Sequence, residues 1–162
     1  MKNDALKLIY EEYSREIFLY VLSLCGNRAT AEELMQETFV KALLSLPDSH
    51  SNVRAWLYKV ARNLFLDRAR RSKFESPGLE EEGEGTAASP EELMIEKQEN
   101  ERLRMAVSRL DERKREVIRL HYFSELSFSE IASVMGLTLE NVRVLAYRAK
   151  KELKKYLEDN QK

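Results

Sequence analysis

LSFSEIASVMGLTLENVRVLAYRAKKELKKYL, residues 126–157, places two helix starts on either side of one tight turn. Ser127 and Glu130 have capping-box spacing, in which each side chain satisfies the other's free backbone donor. A short helix over Phe128 to Met135 follows, and Gly136 supplies the backbone freedom a tight turn needs. Thr138 then caps a longer helix reaching about Tyr156. Ala132 is small where two crossing helices touch, and Ile131, Leu137, Val142 and Leu145 can form the core between them. This is a helix-turn-helix pattern whose second helix is basic: residues 138–155 hold six basic and two acidic side chains. Such a helix fits the DNA major groove, with its first exposed turns near base edges and its later cations near phosphates. Arg143 and Tyr147 share a face with Arg148 beside them, and Lys150, Lys151, Lys154 and Lys155 can neutralise phosphates. The same spacing also suits a solvated amphipathic helix whose terminal lysines answer the helix dipole.

Upstream, Leu6, Ile9, Tyr10, Tyr13, Ile17, Val21 and Leu24 recur at three- and four-residue steps, the stripe of one buried helical face, and Gly26-Asn27 supplies a stop. Thr30 with Glu33 has capping-box spacing, which predicts a second helix from about Ala31 to Leu46, ended by Pro47. After a polar loop, Asp48 to Asn52, a third helix carries Val53, Trp56, Leu57, Val60, Ala61, Leu64 and Phe65 and ends in the basic run Arg68, Arg70, Arg71, Lys73. Three such helices can close a small bundle. Residues 74–88 hold three of the five glycines with Glu75, Glu80, Glu81, Glu82 and Glu84, the composition of a self-repelling tether. Ser89-Pro90-Glu91-Glu92 restarts a helix through Leu93, Glu96, Leu103, Ala106 and Leu110, and Asp111 caps the next, carrying Val117, Ile118, Leu120 and Tyr122.

The whole composition agrees with this division. A chain of 162 residues holds one ordinary domain or two small ones. With 43% hydrophobic and 34% charged residues but only 5 glycines and 3 prolines, it has material for a core and little for turn-rich β folds. Its net charge of −1 conceals an acidic middle: residues 1–72 carry +2, 73–100 carry −7 and 101–162 carry +4. Bound phosphates respond to charge within about a Debye length, ~8–10 Å, so the overall balance does not argue against nucleic acid. Short apolar runs, no opening signal segment and a single cysteine fit a soluble protein of a reducing cytoplasm.

Three segments together resemble the extracytoplasmic-function group of the sigma-70 family: AEELMQETFVKAL (31–43), RAWLYKVARNLFLDRARR (54–71) and LDERKREVIRLHYFSELSFSEIASVMGLTLENVRVLAYRAKKEL (110–153). They stand in the family's order, and the resemblance covers essentially the whole chain. It implies an all-α protein of two small helical domains. Residues 1–73 would form a three-helix domain binding core RNA polymerase and the minus-ten element, 74–89 a flexible acidic linker, and 90–162 a helix-turn-helix domain binding the minus-thirty-five element.

The function so implied is promoter recognition, promoter melting and transcription initiation of a stress or signal regulon, with core polymerase and promoter DNA as partners. An anti-sigma factor, often membrane-bound in the family, would hold the free monomer inactive. No cofactor, metal or small-molecule substrate is implied. Glu33, Gln36 and Glu37 match the family's polymerase-binding segment, and the exposed Gln36 and Glu37 are better candidates than Leu34 or Phe39, which suit a bundle core. Trp56, Arg62, Asn63, Asp67, Arg70 and Arg71 match the minus-ten segment, with Asn63 as the polar contact to a flipped base. Residues 54–73 carry seven basic side chains against one acid, which suits holding a single strand. Trp56, on the apolar stripe, equally suits core burial. Thr138, Asn141, Arg143, Val144, Tyr147, Arg148 and Lys151 are the candidate minus-thirty-five contacts. There the chain departs from the family: where many members read Gly-Thr-Val-Lys-Ser-Arg-Leu, it has Glu140, Asn141, Val142, Arg143, Val144, Leu145 and Ala146.

Three other readings compete. An enzyme finds little support, because His50 and His121 have no partner at metal-ligand spacing, no phosphate-cradling glycine loop follows a strand, and Cys25 suits a small buried hydrophobe. A dimeric helix-turn-helix regulator would bind palindromic duplex without polymerase. A membrane-surface protein would use the basic C-terminal helix on lipid.

Overall fold

The apolar stripe at the start of the chain is carried on α1, Lys2–Cys25, in a computed structural model that describes residues 2–46, 52–75 and 101–159. With α2 (Arg28–Ser45) and α3 (Val53–Glu75) it makes the first of two compact units. Gly26 ends α1 at φ +71°, its N–H donating to Leu22 O at 2.8 Å. The capping box expected at Thr30 and Glu33 does not form, and α2 starts three residues before the expected Ala31. Asn27 lies in extended backbone, and its Oδ1 accepts the Thr30 N–H at 2.9 Å. It therefore takes over the end of the helix that Thr30 would otherwise have capped. Glu33 instead forms an ion pair with Arg68 of α3 at 2.8 Å. Asn52 does for α3 what Asn27 does for α2, accepting the Ala55 N–H at 3.0 Å.

Between the three helices lie Ile17, Val21 and Leu22 from α1, Leu34 and Phe39 from α2, and Leu57, Ala61 and Leu64 from α3, all buried. Each large aliphatic side chain so buried contributes about 1.5–3 kcal/mol relative to exposure. Thr38 is also buried, and its hydroxyl donates to Leu34 O at 2.8 Å within the helix. Cys25 is half-buried; burial pushes its thiol up, and its Sγ–H donates to Asn27 O at 3.4 Å.

The polar seam of this unit is centred on Tyr58, whose ring is fully buried. Its hydroxyl donates to Glu16 Oε1 at 2.8 Å, and Arg54 Nε donates to the same oxygen at 2.9 Å. The Arg54 guanidinium lies over the Tyr58 ring at 5.6 Å, and Tyr20 packs against that ring at 4.9 Å between centroids. A hydrogen bond to a charged acceptor is worth about 1.5–3 kcal/mol, and here Arg54 keeps Glu16 partnered when the hydroxyl goes. Tyr58→Phe will therefore destabilise the protein by about 1–2 kcal/mol, read as a lower denaturant midpoint with an unchanged slope; an unaltered midpoint would show that this bond contributes nothing.

The second unit comprises α4 (Glu101–Ser108), α5 (Glu112–Ile118), a π-helical turn (Arg119–Phe123), α6 (Phe128–Met135) and α7 (Leu139–Asp159). Asp111 caps α5 as expected: its carboxylate accepts the Lys114 N–H at 3.0 Å, and chiefly that bond holds its pKa below the ordinary carboxylate value. The π-helical turn, unforeseen in the sequence, places the Ser124 N–H on Arg119 O at 3.0 Å. Glu125 then takes a positive φ of +61°, and Leu126 N–H returns to Leu120 O at 2.9 Å. His121 belongs to this corner, with Nδ1 2.9 Å from Leu126 O and its ring 4.4 Å from that of Phe128.

The pair α6–α7 follows the local signals closely. Both halves of the Ser127–Glu130 box are made, at 2.8 and 3.1 Å. Gly136 adopts φ +69°, ψ +34°, and Leu137 N–H donates to Ala132 O at 2.9 Å. An added Cβ at Gly136 would meet nothing within 4 Å, so the left-handed backbone and not crowding selects glycine. Ile131, Ala132 and Val142 are buried where the helices cross, while Leu137 and Leu145 are half-buried. Lys114 ties α5 to α7 by pairing with Glu152 and, at 3.4 Å, with Asp111.

The described residues are helical with no strand among them, which agrees with the all-α expectation. The acidic linker expected over residues 74–89 lies outside the described residues beyond the end of α3 at Glu75. The helix start at Ser89-Pro90 and the loop from Pro47 to Ser51 also lie outside them.

Candidate nucleic-acid interface

The roll of α7 is set by what it buries. Val142, Ala146 and Ala149 face the core at 0–4% exposure. With about 100° between successive residues, Arg143, Val144, Tyr147, Arg148 and Lys151 then face outward, and all are exposed. Tyr147 is 64% exposed, and Lys151 Nζ lies 5.6 Å from its ring centroid, a cation held over an aromatic face. Thr138 is exposed too, but its Oγ1 accepts the Asn141 N–H at 3.1 Å, so one of its two lone pairs is taken and its proton and the other lone pair are left for a ligand. Asn141 projects from the same first turn and is exposed. Lys150 turns the other way: its Nζ sits 5.5 Å over the Tyr122 ring, beside an apolar hollow of about 530 Å³ floored by Val107, Ile118 and Leu153. The structure thus brings the seven expected duplex contacts to one end and one side of a single helix, and it separates Lys150 from them.

On α3 the grouping is partial. Trp56, Asn63, Asp67 and Arg70 follow one another at seven-, four- and three-residue steps and so share a strip, while Arg62 stands about a third of a turn away. Asn63, Asp67, Arg70 and Arg71 are exposed; Arg62 and Trp56 are half-buried. Trp56 is therefore not a core residue, although the apolar stripe suited it to be one: the core takes Ala55, Leu57 and Tyr58 on either side of it. Asp67 and Arg70 pair at 2.5 Å with both side chains exposed, an arrangement worth ~0–1 kcal/mol that a phosphate can displace.

On α2, Glu33, Gln36 and Glu37 are exposed, whereas Leu34 and Phe39 are buried. The next turns of the same outward face present Val40 at 52% and Leu44 at 75% exposure. Sequence reasoning overlooked these two. The signal was their 3–4 spacing from Gln36 and Glu37, an apolar continuation of a polar strip that the bundle does not cover.

A helix-turn-helix unit with an exposed basic second helix, accompanied by a separate three-helix unit with a cationic third helix, defines a DNA-binding protein. Residues 9–75 match the family model described as Sigma-70 region 2, and residues 100–153 the one described as Sigma-70, region 4. The RNA polymerase sigma factor YlaC of Bacillus subtilis is 35% identical, over 94% of this chain and 91% of its own. The ECF RNA polymerase sigma factor SigM of the same organism is 32% identical over 90% of this chain and 91% of its own. Among solved structures, the sigma factor RpoE from Bartonella quintana, in complex with the anti-sigma factor NepR, superposes with a TM-score of 0.74 at 24% identity, covering 94% of this chain and 96% of that one. The chain belongs to the sigma-70 family of RNA polymerase sigma factors, in its extracytoplasmic-function group. It is by family an initiation factor that directs RNA polymerase to promoters, not an enzyme. No helix among the described residues is long and apolar enough to cross a membrane.

Proposed function

We propose that the two units divide the promoter between them, with residues 1–73 and 90–162 as the working domains and 74–89 as the tether. α7 lies in the major groove of the upstream, minus-thirty-five element, and the Trp56–Arg71 strip holds the opened minus-ten strand. The outward face of α2 docks on core polymerase. The observation that carries this reading is the uniform exposure of the base-facing residues of α7 over a helix whose opposite side is closed into the core. Asn63 offers an amide to an unstacked base, half-buried Trp56 offers a ring, and Arg70 and Arg71 neutralise the backbone. The protein acts in the cytoplasm, where polymerase and template meet. An anti-sigma factor restrains it; the similar RpoE of Bartonella quintana is in complex with one, NepR.

The test is run-off transcription with core polymerase and the purified monomer. Specific starts that vanish without the protein support the reading. A stable dimer that protects palindromic DNA without core enzyme overturns it. Gln36→Ala combined with Glu37→Ala will weaken association with core polymerase about ten-fold, equivalent to about 1.4 kcal/mol, with helix content unchanged. Undiminished pull-down of core subunits would mean that polymerase docks elsewhere.

A further inference from the structure

We propose that the apolar hollow beside α7 binds a small anionic amphiphile, a single acyl chain ending in a carboxylate, with Lys150 and Lys154 holding the head group. The site belongs to the second unit alone and does not depend on how the units share a promoter. The hollow measures about 530 Å³ and lies among α4, the π-helical turn and α7. Val107, Ile118 and Leu153 floor it, and Leu103 and Leu157 stand beside them. Val107 and Ile118 are 2–3% exposed and belong to the core with Leu110 and Ala149, whereas Leu103, Leu153 and Leu157 are half-buried. Water in so apolar a hollow finds few hydrogen-bond partners, so an alkyl chain displaces it at a gain.

The rim sets the sign of the head group. Lys150 and Lys154 stand one turn apart on α7, both line the hollow, and among the described residues neither is in an ion pair. Lys150 is turned away from the duplex-facing side, with its Nζ 5.5 Å over the Tyr122 ring. A lysine lays its apolar stem along such a wall and keeps its ammonium at the mouth, where two cations meet one carboxylate. Glu158, one turn beyond Lys154, also lines the hollow and repels an anion, so the head group belongs between the lysines. Size decides against a protein helix as the occupant. One helical turn with its side chains, 10–12 Å across and 5.4 Å high, takes roughly 400–600 Å³, so a helix inserts only a few side chains where an alkyl chain fits whole. The tail has about 10 Å of wall, the rise of α7 from Lys150 to Leu157.

The experiment is calorimetric titration of the full chain with sodium dodecanoate, kept below the concentration at which it forms micelles. The unaltered protein is expected to show one saturable site. Decanoate, two methylenes shorter, will bind roughly ten- to fifteen-fold more weakly, at about four-fold per methylene. Dodecyltrimethylammonium carries the same tail under a cation and will bind about ten-fold more weakly than dodecanoate. Lys150→Gln combined with Lys154→Gln, both at exposed positions, will weaken dodecanoate about ten-fold with helix content unchanged and erase its advantage over the cation. Leu153→Trp, checked for retained helix by circular dichroism, will fill the hollow and abolish binding of both probes. Equal affinity for the two head groups means apolar adhesion alone and overturns the proposal, as does the absence of binding or binding that survives the variants. Attachment to phosphatidylglycerol vesicles without binding of free dodecanoate assigns the lysines to a membrane surface and overturns it too.

Discussion

Val142→Asp will unfold the helix-turn-helix unit. Val142 is 0% exposed where α7 crosses α6, beside Ile131 and Ala132, which are buried with it. An aspartate there either buries an unpaired charge or stays protonated without a partner, and the penalty is roughly 3–5 kcal/mol or more. A unit of this size, under about 70–80 residues, rarely has more than ~3–5 kcal/mol in hand. Circular dichroism will show lost helix, and initiation will cease to depend on the upstream element. Val142→Ala is the control: it removes two methyl groups, costs roughly 1–2.5 kcal/mol and keeps the fold. A Val142→Asp protein that melts with the unaltered one would contradict this packing of α7 on α6.

Arg143→Ala, one residue along, will do the reverse. About 100° of rotation takes the side chain from the core to the outward face, where Arg143 is exposed. Truncation there changes folding stability by no more than about 0.5 kcal/mol. A bidentate arginine–guanine contact is worth about 1–3 kcal/mol of discrimination, so selection of the upstream element will weaken by roughly 5- to 150-fold while core binding is intact. Competitive run-off transcription from promoters altered in that element measures the ratio. Unchanged preference would remove Arg143 from the reading face. Together the two substitutions separate what builds the helix from what the helix presents.

Legibility followed the range of the interactions. The helix-turn-helix could be read with its boundaries, since Ser127, Glu130, Gly136 and Thr138 each act on backbone within about four residues. Asp111 was legible for the same reason. The start of α2 was misread: Asn27, taken as part of the stop after α1, is its cap, because the left-handed turn at Gly26 leaves Asn27 extended and ready to accept the bond. Glu33, released from a capping role, was then available to Arg68. The π-helical turn at Arg119–Phe123 carries no short-range composition mark, and its closure on Leu126 is completed by the positive φ of a glutamate where glycine would be the ordinary choice.

By itself the amino-acid order determined that the chain is helical, that it has two bodies separated by an acidic stretch, and that one body carries a helix-turn-helix with a cationic second helix. Periodicity, caps and charge are properties of neighbouring residues, and these were enough. Only the tertiary structure decided which members of each candidate set face outward. Partnerships such as Tyr58 with Glu16 span 42 residues, and the half-burial of Trp56 and the exposure of Val40 and Leu44 depend on which side of a helix its neighbours cover. Helical spacing specifies which residues share a face; the packing of the other helices specifies which face is left exposed.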